Sequence, residues 1–236
     1  MSRLLFISDI HGNMEAVEAL QKELPNIAPD KIYFLGDAVG KGPESHLALD
    51  WVRKNCDVVI RGNWDDGMIL NQFPNDQYYC NQLGEERLKY ISTLPFETEV
   101  LISGLWFRLV HGRPTDRLYL SYDSMEDLEK GFISKVSSRV YNAYICADSH
   151  MPYIRNCSKG YAINTGSIGN SLGVPRVHGI LIEGELDSPV QSPISFNVLS
   201  IPYDNEKAVK KCDLYPDMPW PEAYKKEILT GRYGRA

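Results

Sequence analysis

LLFISDIHGNMEAVEALQKEL, from Leu4 to Leu24, is the stretch that decides how this chain folds. Leu4 to Ser8 is a short apolar run that ends in a polar turn, the pattern of a buried strand. Asn13 to Leu24 then sets Met14, Val17, Leu20 and Leu24 at helical spacing. Asp9 and His11 stand between the two. The unit repeats outward from there: Lys31 to Leu35 reads as a strand before Gly36-Asp37, Ser45 to Lys54 as a helix, and Val58 to Ile60 as a strand before Gly62-Asn63. Alternating strands and helices predict an α/β protein with a largely parallel sheet and its functional loops at the carboxyl ends of the strands.

After Asp65 the pattern changes. Asp66 to Tyr90 is mostly helical, with a loop around Pro74 to Asp76, and Glu97 to Ile102 with Trp106 to Val110 reads as a hairpin turned at Ser103-Gly104. The second hairpin strand leads into His111. A polar, amphipathic stretch from Ser124 to Ser138 precedes a strand at Ala143 to Ala147, which delivers Asp148 and His150. Tyr161 to Asn164, His178 to Glu183 and Ile194 to Ser200 are further strands, the last two separated by a turn at Asp187 to Pro193. The tail from Asp204 reads as two short helices broken by Pro216, Pro219 and Pro221. With no repeat or linker in its 236 residues, the chain is expected to form one domain over 1–236, its helical tail (about 204–236) packed on the rest.

A net charge of -6 argues against a nucleic-acid backbone as a stable partner, because such binding needs concentrated Lys and Arg. An acidic protein that handles phosphates must use metal ions to attract them. The five cysteines are scattered and lack a C-x-x-C pair, which suggests reduced thiols and neither a disulfide framework nor a zinc knuckle. The N-terminus enters strand-like sequence at once and no apolar run is long enough to span a bilayer, so a soluble, cytoplasmic protein without a membrane partner is expected. The oligomeric state is left open.

Five short motifs carry the chemistry: D-I-H at Asp9 to His11, G-D-A-V-G at Gly36 to Gly40, G-N-W-D at Gly62 to Asp65, V-H-G at Val110 to Gly112 and D-S-H at Asp148 to His150. Asp9 and His11 leave their strand two positions apart, so both can point to one side and share an ion. Asp37 follows a second strand, where Gly36 and Gly40 allow the tight turn that lets one carboxylate reach two ions. Asn63 offers an amide oxygen, and His111 and His150 offer imidazoles, a mixed oxygen and nitrogen shell that suits Mn, Fe or Zn.

At these residues the chain resembles the calcineurin-like metallophosphoesterase superfamily, whose pattern is D-x-H, G-D-x-x-G, G-N-H-[DE], a later H-G, and G-H-x-H. N-T-G-S-I-G at Asn164 to Gly169 is similar to a segment of its bacterial phosphodiesterase and diadenosine tetraphosphate hydrolase-like branch. The resemblance implies a four-layer α-β-β-α sandwich and two divalent ions, one on Asp9, His11, Asp37 and His150, the other on Asp37, Asn63, His111 and the residue at 148. It implies hydrolysis of phosphodiesters or nucleotide polyphosphates by a metal-bridged hydroxide, with Asp37 and Asn63 at the reacting centre.

Two positions depart from that pattern. Trp64 stands where the family keeps a histidine that protonates the leaving group; an indole N-H is a donor only, so poor leaving groups are expected to suffer most. Trp64 either stacks on a nucleobase of the substrate or closes apolar surface. Asp148 replaces a family histidine, and its harder oxygen favours Mn or Fe over Zn. Two divalent ions balanced by three aspartates and a hydroxide also leave the site without net charge. Arg113, next to the H-G motif, either holds a substrate phosphate oxygen or is a solvated surface arginine. His46 and His178 belong to no motif and read as structural. The rival functions are a serine/threonine protein phosphatase and a catalytically weakened metal- or nucleotide-binding module.

Overall fold

Leu4 and Phe6 point to one side of the first strand and Leu5 and Ile7 to the other, and all four are fully buried. A strand covered on both faces explains the unbroken apolar run. In the computed structural model, which describes residues 1–112, 123–134 and 137–234, this strand, β1 (Ser2–Ile7), is the centre of a five-stranded sheet. It pairs in parallel with β2 (Lys31–Phe34), which pairs in parallel with β3 (Val58–Val59). The second sheet holds β4 (Glu97–Ile102), β5 (Leu105–Val110), β6 (Ala143–Cys146), β7 (Tyr153–Cys157) and β8 (Gly160–Asn164) in the order β4-β5-β6-β8-β7. The chain then returns to the first sheet as β9 (Val177–Gly184) and β10 (Ser195–Ile201), both antiparallel to their neighbours, for an order of β10-β9-β1-β2-β3.

The largely parallel sheet expected from the alternation of strands and helices up to Asn63 is therefore corrected to two mixed sheets. Helical crossovers set β1, β2 and β3 parallel, whereas β9 returns beside β1 from the second sheet, and the turn before Ser195 forces β10 antiparallel. Leu4, Phe6, Tyr33, Leu35 and Ile182 of one sheet meet Val100, Phe107, Leu109, Ile145 and Ile163 of the other, forming an inner core. The opposite face of the first sheet is covered by α1 (Met14–Ile27), α2 (Ser45–Asn55), α3 (Asn63–Leu70) and α4 (Asp76–Thr93). The outer face of the second is covered by α5 (Met125–Glu129) and the 3-10 turn that follows it, through Leu128 and Phe132. The result is the four-layer α-β-β-α sandwich.

Strand β7 was not legible, since Tyr153 is buried while Ile154 and Asn156 face outward on a sheet edge, which scrambles the apolar signal. Helix α3 starts at Asn63 rather than Asp66, because Asp65 accepts the backbone N-H of Gly62 (3.0 Å) and anchors its first turn. In the tail, α6 (Asn205–Lys211) ties to α1 through Lys207 and Lys211 on Glu15, and α7 (Pro221–Thr230) begins on a proline and ends at Gly231. No helix among the described residues is long and apolar enough to cross a membrane.

Candidate metal centre

The five motifs meet at one end of the sandwich. The loop after β1 is zipped to the loop after β2 by three backbone hydrogen bonds, from the N-H groups of Asp9, His11 and Gly12 to the carbonyls of Gly36, Asp37 and Ala38, at 2.9, 3.1 and 3.1 Å. Asp9, His11, Asp37, Asp148 and His150 all adopt positive φ, between 49° and 66°. For residues other than glycine this left-handed region costs energy and persists only where the surroundings enforce it. Here it lets a chain leaving a strand turn its next side chain back across the strand end. Gly36 (φ 94°) is required in a second way: a Cβ there would lie 2.5 Å from the Gly62 nitrogen and 2.8 Å from the His111 ring.

Asp9, His11 and His150 converge, with His11 Nε2 3.2 Å from His150 Nε2 and Asp9 Oδ1 3.3 Å from His150 Nε2. Asp9, Asp37 and His111 form a second triad. Asp37 Oδ2 lies between the two sets, 3.6 Å from His11 Nε2 and 3.3 Å from His111 Nε2. Asn63 Oδ1 is 3.1 Å from His111 Nε2, and Asp148 Oδ1 is 3.8 Å from the same nitrogen. Asp9, His11, Asp37, Asn63, His111, His150 and Asp148 are thus brought to one place.

Each carboxylate is divided between protein and centre. Asp9 Oδ2 accepts the Ser8 hydroxyl and Asp37 Oδ1 accepts the Trp64 N-H at 2.9 Å, while Asp9 Oδ1 and Asp37 Oδ2 are buried without a hydrogen-bond donor. Orphaned buried carboxylate oxygens are costly unless a cation meets them. The histidines are oriented to match: Nδ1 of His11, His111 and His150 donates to the carbonyls of Val39, Leu35 and Asn170 at 3.0, 2.5 and 2.6 Å. That arrangement turns each Nε2 toward the centre, where a metal would compete with a proton for its lone pair. The donor set fits divalent metal.

Electrostatics separate the two sides. Burial pushes His11 down to about 4, helped by the Lys41 charge, so its ring is neutral. Burial also disfavours charge on His111, but the carboxylates of Asp37, Asp9 and Asp148 outweigh it and hold this histidine well above its ordinary value. Burial raises Asp148 to about 6 against the pull of His111, with Asp37 and Asp9 adding to the rise.

Trp64 sits edge-on to His11 (5.7 Å between ring centroids) and to Tyr79 (6.3 Å), and its ring covers Gly40, where a Cβ would be 2.1 Å from Cε3. Arg113 lies outside the described residues. His178 is buried between the hydroxyls of Ser171 (3.0 Å) and Ser200 (3.4 Å). Sequence reasoning missed Asp65, which binds the N-H groups of Asp37 (2.7 Å) and Gly62 (3.0 Å) and so joins two ligand loops. The D in G-N-W-D was its only signal. It also missed the backbone carbonyls that orient the histidines, for which no side-chain signal exists.

Two facing sheets with buried carboxylates and imidazoles gathered at their strand ends mark a metal-dependent phosphoester hydrolase. Residues 2–187 match the family model for calcineurin-like phosphoesterases, and the chain belongs to that family, whose members bind two divalent ions. An uncharacterized protein of Methanocaldococcus jannaschii is 26% identical over 241 residues, covering 89% of this chain and 91% of that protein. The same fold is found in a hypothetical protein of Pyrococcus horikoshii (TM-score 0.78, 20% identity, 99% and 100% of the two chains). It recurs in a metallophosphoesterase of Sphaerobacter thermophilus (TM-score 0.73, 21% identity, 98% and 99%).

Proposed function

We propose that this chain is a dinuclear phosphoesterase that hydrolyses phosphodiesters or nucleotide polyphosphates of the diadenosine tetraphosphate type. Asp9, His11, Asp37 and His150 would hold the first ion, and Asp37, Asn63, His111 and Asp148 the second. The observation that carries this reading is Asp37 Oδ2, buried, lacking a donor and set between Nε2 of His11 and of His111. When bound, two such ions act as Lewis acids on phosphoryl oxygens and lower the pKa of water. Asn63, which is exposed, would orient the phosphoryl group. Position 64 supplies no acid, so the leaving group must depart unprotonated, which favours anhydrides and aryl esters over the serine esters of a protein phosphatase. The Asp148 carboxylate favours Mn or Fe over Zn.

The test is metal analysis of the purified protein joined to a hydrolysis panel of aryl phosphate, aryl diester, dinucleoside polyphosphate and phosphoserine peptide. Two ions per chain, with turnover of diester or polyphosphate well above that of the peptide, is the expected result. Fastest turnover of the peptide would overturn the substrate assignment. Trp64 also favours one second reading, a module that holds nucleotide without turnover, and bound polyphosphate left intact by the metal-loaded protein would select it.

A further inference from the structure

The family match ends at residue 187, so α6 and α7 lie beyond it. Yet α7 reaches the metal centre. Glu227, in the middle of α7, is 1% exposed, and its Oε2 lies 3.8 Å from the ammonium of Lys41, also buried, which directly follows the Asp37 loop. Lys41 donates to Asn170 Oδ1 at 2.8 Å, and the backbone carbonyl of that same Asn170 accepts Nδ1-H of His150 at 2.6 Å. The end of α7 grips the same segment: Gly173 N-H donates to the Gly231 carbonyl at 2.8 Å, and Leu172 N-H donates to the His150 carbonyl at 3.1 Å.

A buried ammonium beside a pocket meant for a dication needs a reason. Apolar side chains would fill this space at lower cost, because two charges removed from water are repaid only when well paired. The Lys41 ammonium is held on Asn170, the residue whose carbonyl orients His150, and a positive charge so close would repel an ion held by that histidine. The Glu227 carboxylate cancels that repulsion while Lys41 keeps its hold on Asn170.

We propose that Lys41 and Glu227 are positioning residues of the first ion's pocket: through them α7 steadies the Asn170 carbonyl that aims His150 and neutralises the ammonium next to the ion. The inference rests on the ligand assignment proposed above. It makes the C-terminal helix part of the metal centre.

Calorimetric titration of chelator-treated protein with Mn²⁺, with the melting temperature of the metal-free form measured alongside, tests it. Wild-type protein is expected to take up two ions. Glu227→Gln should weaken one of them about 10–100-fold, the range seen when partners behind metal ligands are removed, and leave the other within about twofold. Lys41→Met combined with Glu227→Gln should regain only the part of that loss that comes from the uncompensated ammonium, and stay about as weak as Asn170→Ala, since the hold on Asn170 is lost as well. Unchanged affinities in Glu227→Gln, even with a lower melting temperature, would reduce the contact to a fold contact and overturn the inference alone. A double variant weaker than Glu227→Gln would do the same. Wild-type protein that does not bind two ions would overturn the ligand assignment and the inference with it. Should Glu227→Gln fail to fold, Asn170→Ala keeps the carbonyl that His150 uses and removes the side chain that Lys41 holds; about tenfold weaker uptake of one ion is expected, and wild-type uptake of both would refute the role.

Discussion

The two halves of the metal centre are built differently. On one side Asp9, His11 and His150 are 0%, 0% and 5% exposed at their side chains, and a neutral histidine already waits for an ion. On the other, Asn63 is exposed, Asp148 is 11% exposed, and the carboxylates of Asp37, Asp9 and Asp148 hold His111 well above its ordinary value. On the proposed ligand assignment, depth and charge suit the first pocket to the tighter ion and the second to meet solvent and substrate. Every difference between them can be tested separately.

The largest effect is expected at the group the halves share. Asp37→Asn should lower kcat/KM by ~10³-fold, the equivalent of roughly 4 kcal/mol of lost Lewis-acid stabilisation, and reduce bound metal below two ions, measured by turnover and elemental analysis. A variant that keeps two ions and near-normal turnover would show that the halves do not depend on Asp37. Trp64→His comes next. It should raise turnover of substrates with poor leaving groups by ~10²-fold, at the low end of general acid catalysis, while hardly changing aryl esters. In a plot of log kcat/KM against leaving-group pKa, the parent should fall steeply and the variant less so. A parent slope already shallow would mean that another group donates the proton.

Proton linkage should sharpen the contrast further. The raised His111 makes metal uptake at the second pocket compete with a proton, so affinity there should fall as pH is lowered more steeply than at the pocket of His11, whose ring is already neutral. Calorimetry in buffers of differing ionisation enthalpy reads this directly, and equal proton release from both pockets would contradict it. The smallest effect concerns the metal-free fold. Asp148 is raised from 3.8 to about 6, so its contribution to stability is full below pH 3.8 and is lost as pH rises through about 6. Asp148→Asn should therefore stabilise the metal-free protein by about 1–3 kcal/mol above that window and change little below it. A melting-temperature gain of equal size at both ends of the window would assign the effect to packing.

Much of this site was readable because it sits where apolar runs stop. A buried strand announces itself by composition, and the polar residue after it has few reasons to be Asp, His or Asn other than a turn or a ligand. What escaped has physical causes. Val39, Leu35 and Asn170 orient histidines through backbone carbonyls, which any residue type would offer. Lys41 and Glu227 meet across most of the chain, and neither lies in a pattern that predicts burial. Strand β7 hid on a sheet edge, and the switch from parallel to antiparallel pairing depended on which sheet the chain returned to, a fact of topology that periodicity does not encode.

The left-handed backbone at Asp9, His11, Asp37, Asp148 and His150 has a consequence for how this centre can drift. Each position is selected twice, once for what its side chain donates and once for tolerance of a conformation that β-branched residues resist and that Asn, Asp, His and glycine enter most readily. An exchange of Asp for Asn keeps the shape and alters only the chemistry. A change to Val or Ile would upset both. Inheritance at these sites should therefore wander within a very small alphabet, and a lineage that abandoned the metals could keep the same letters for the sake of the turns alone.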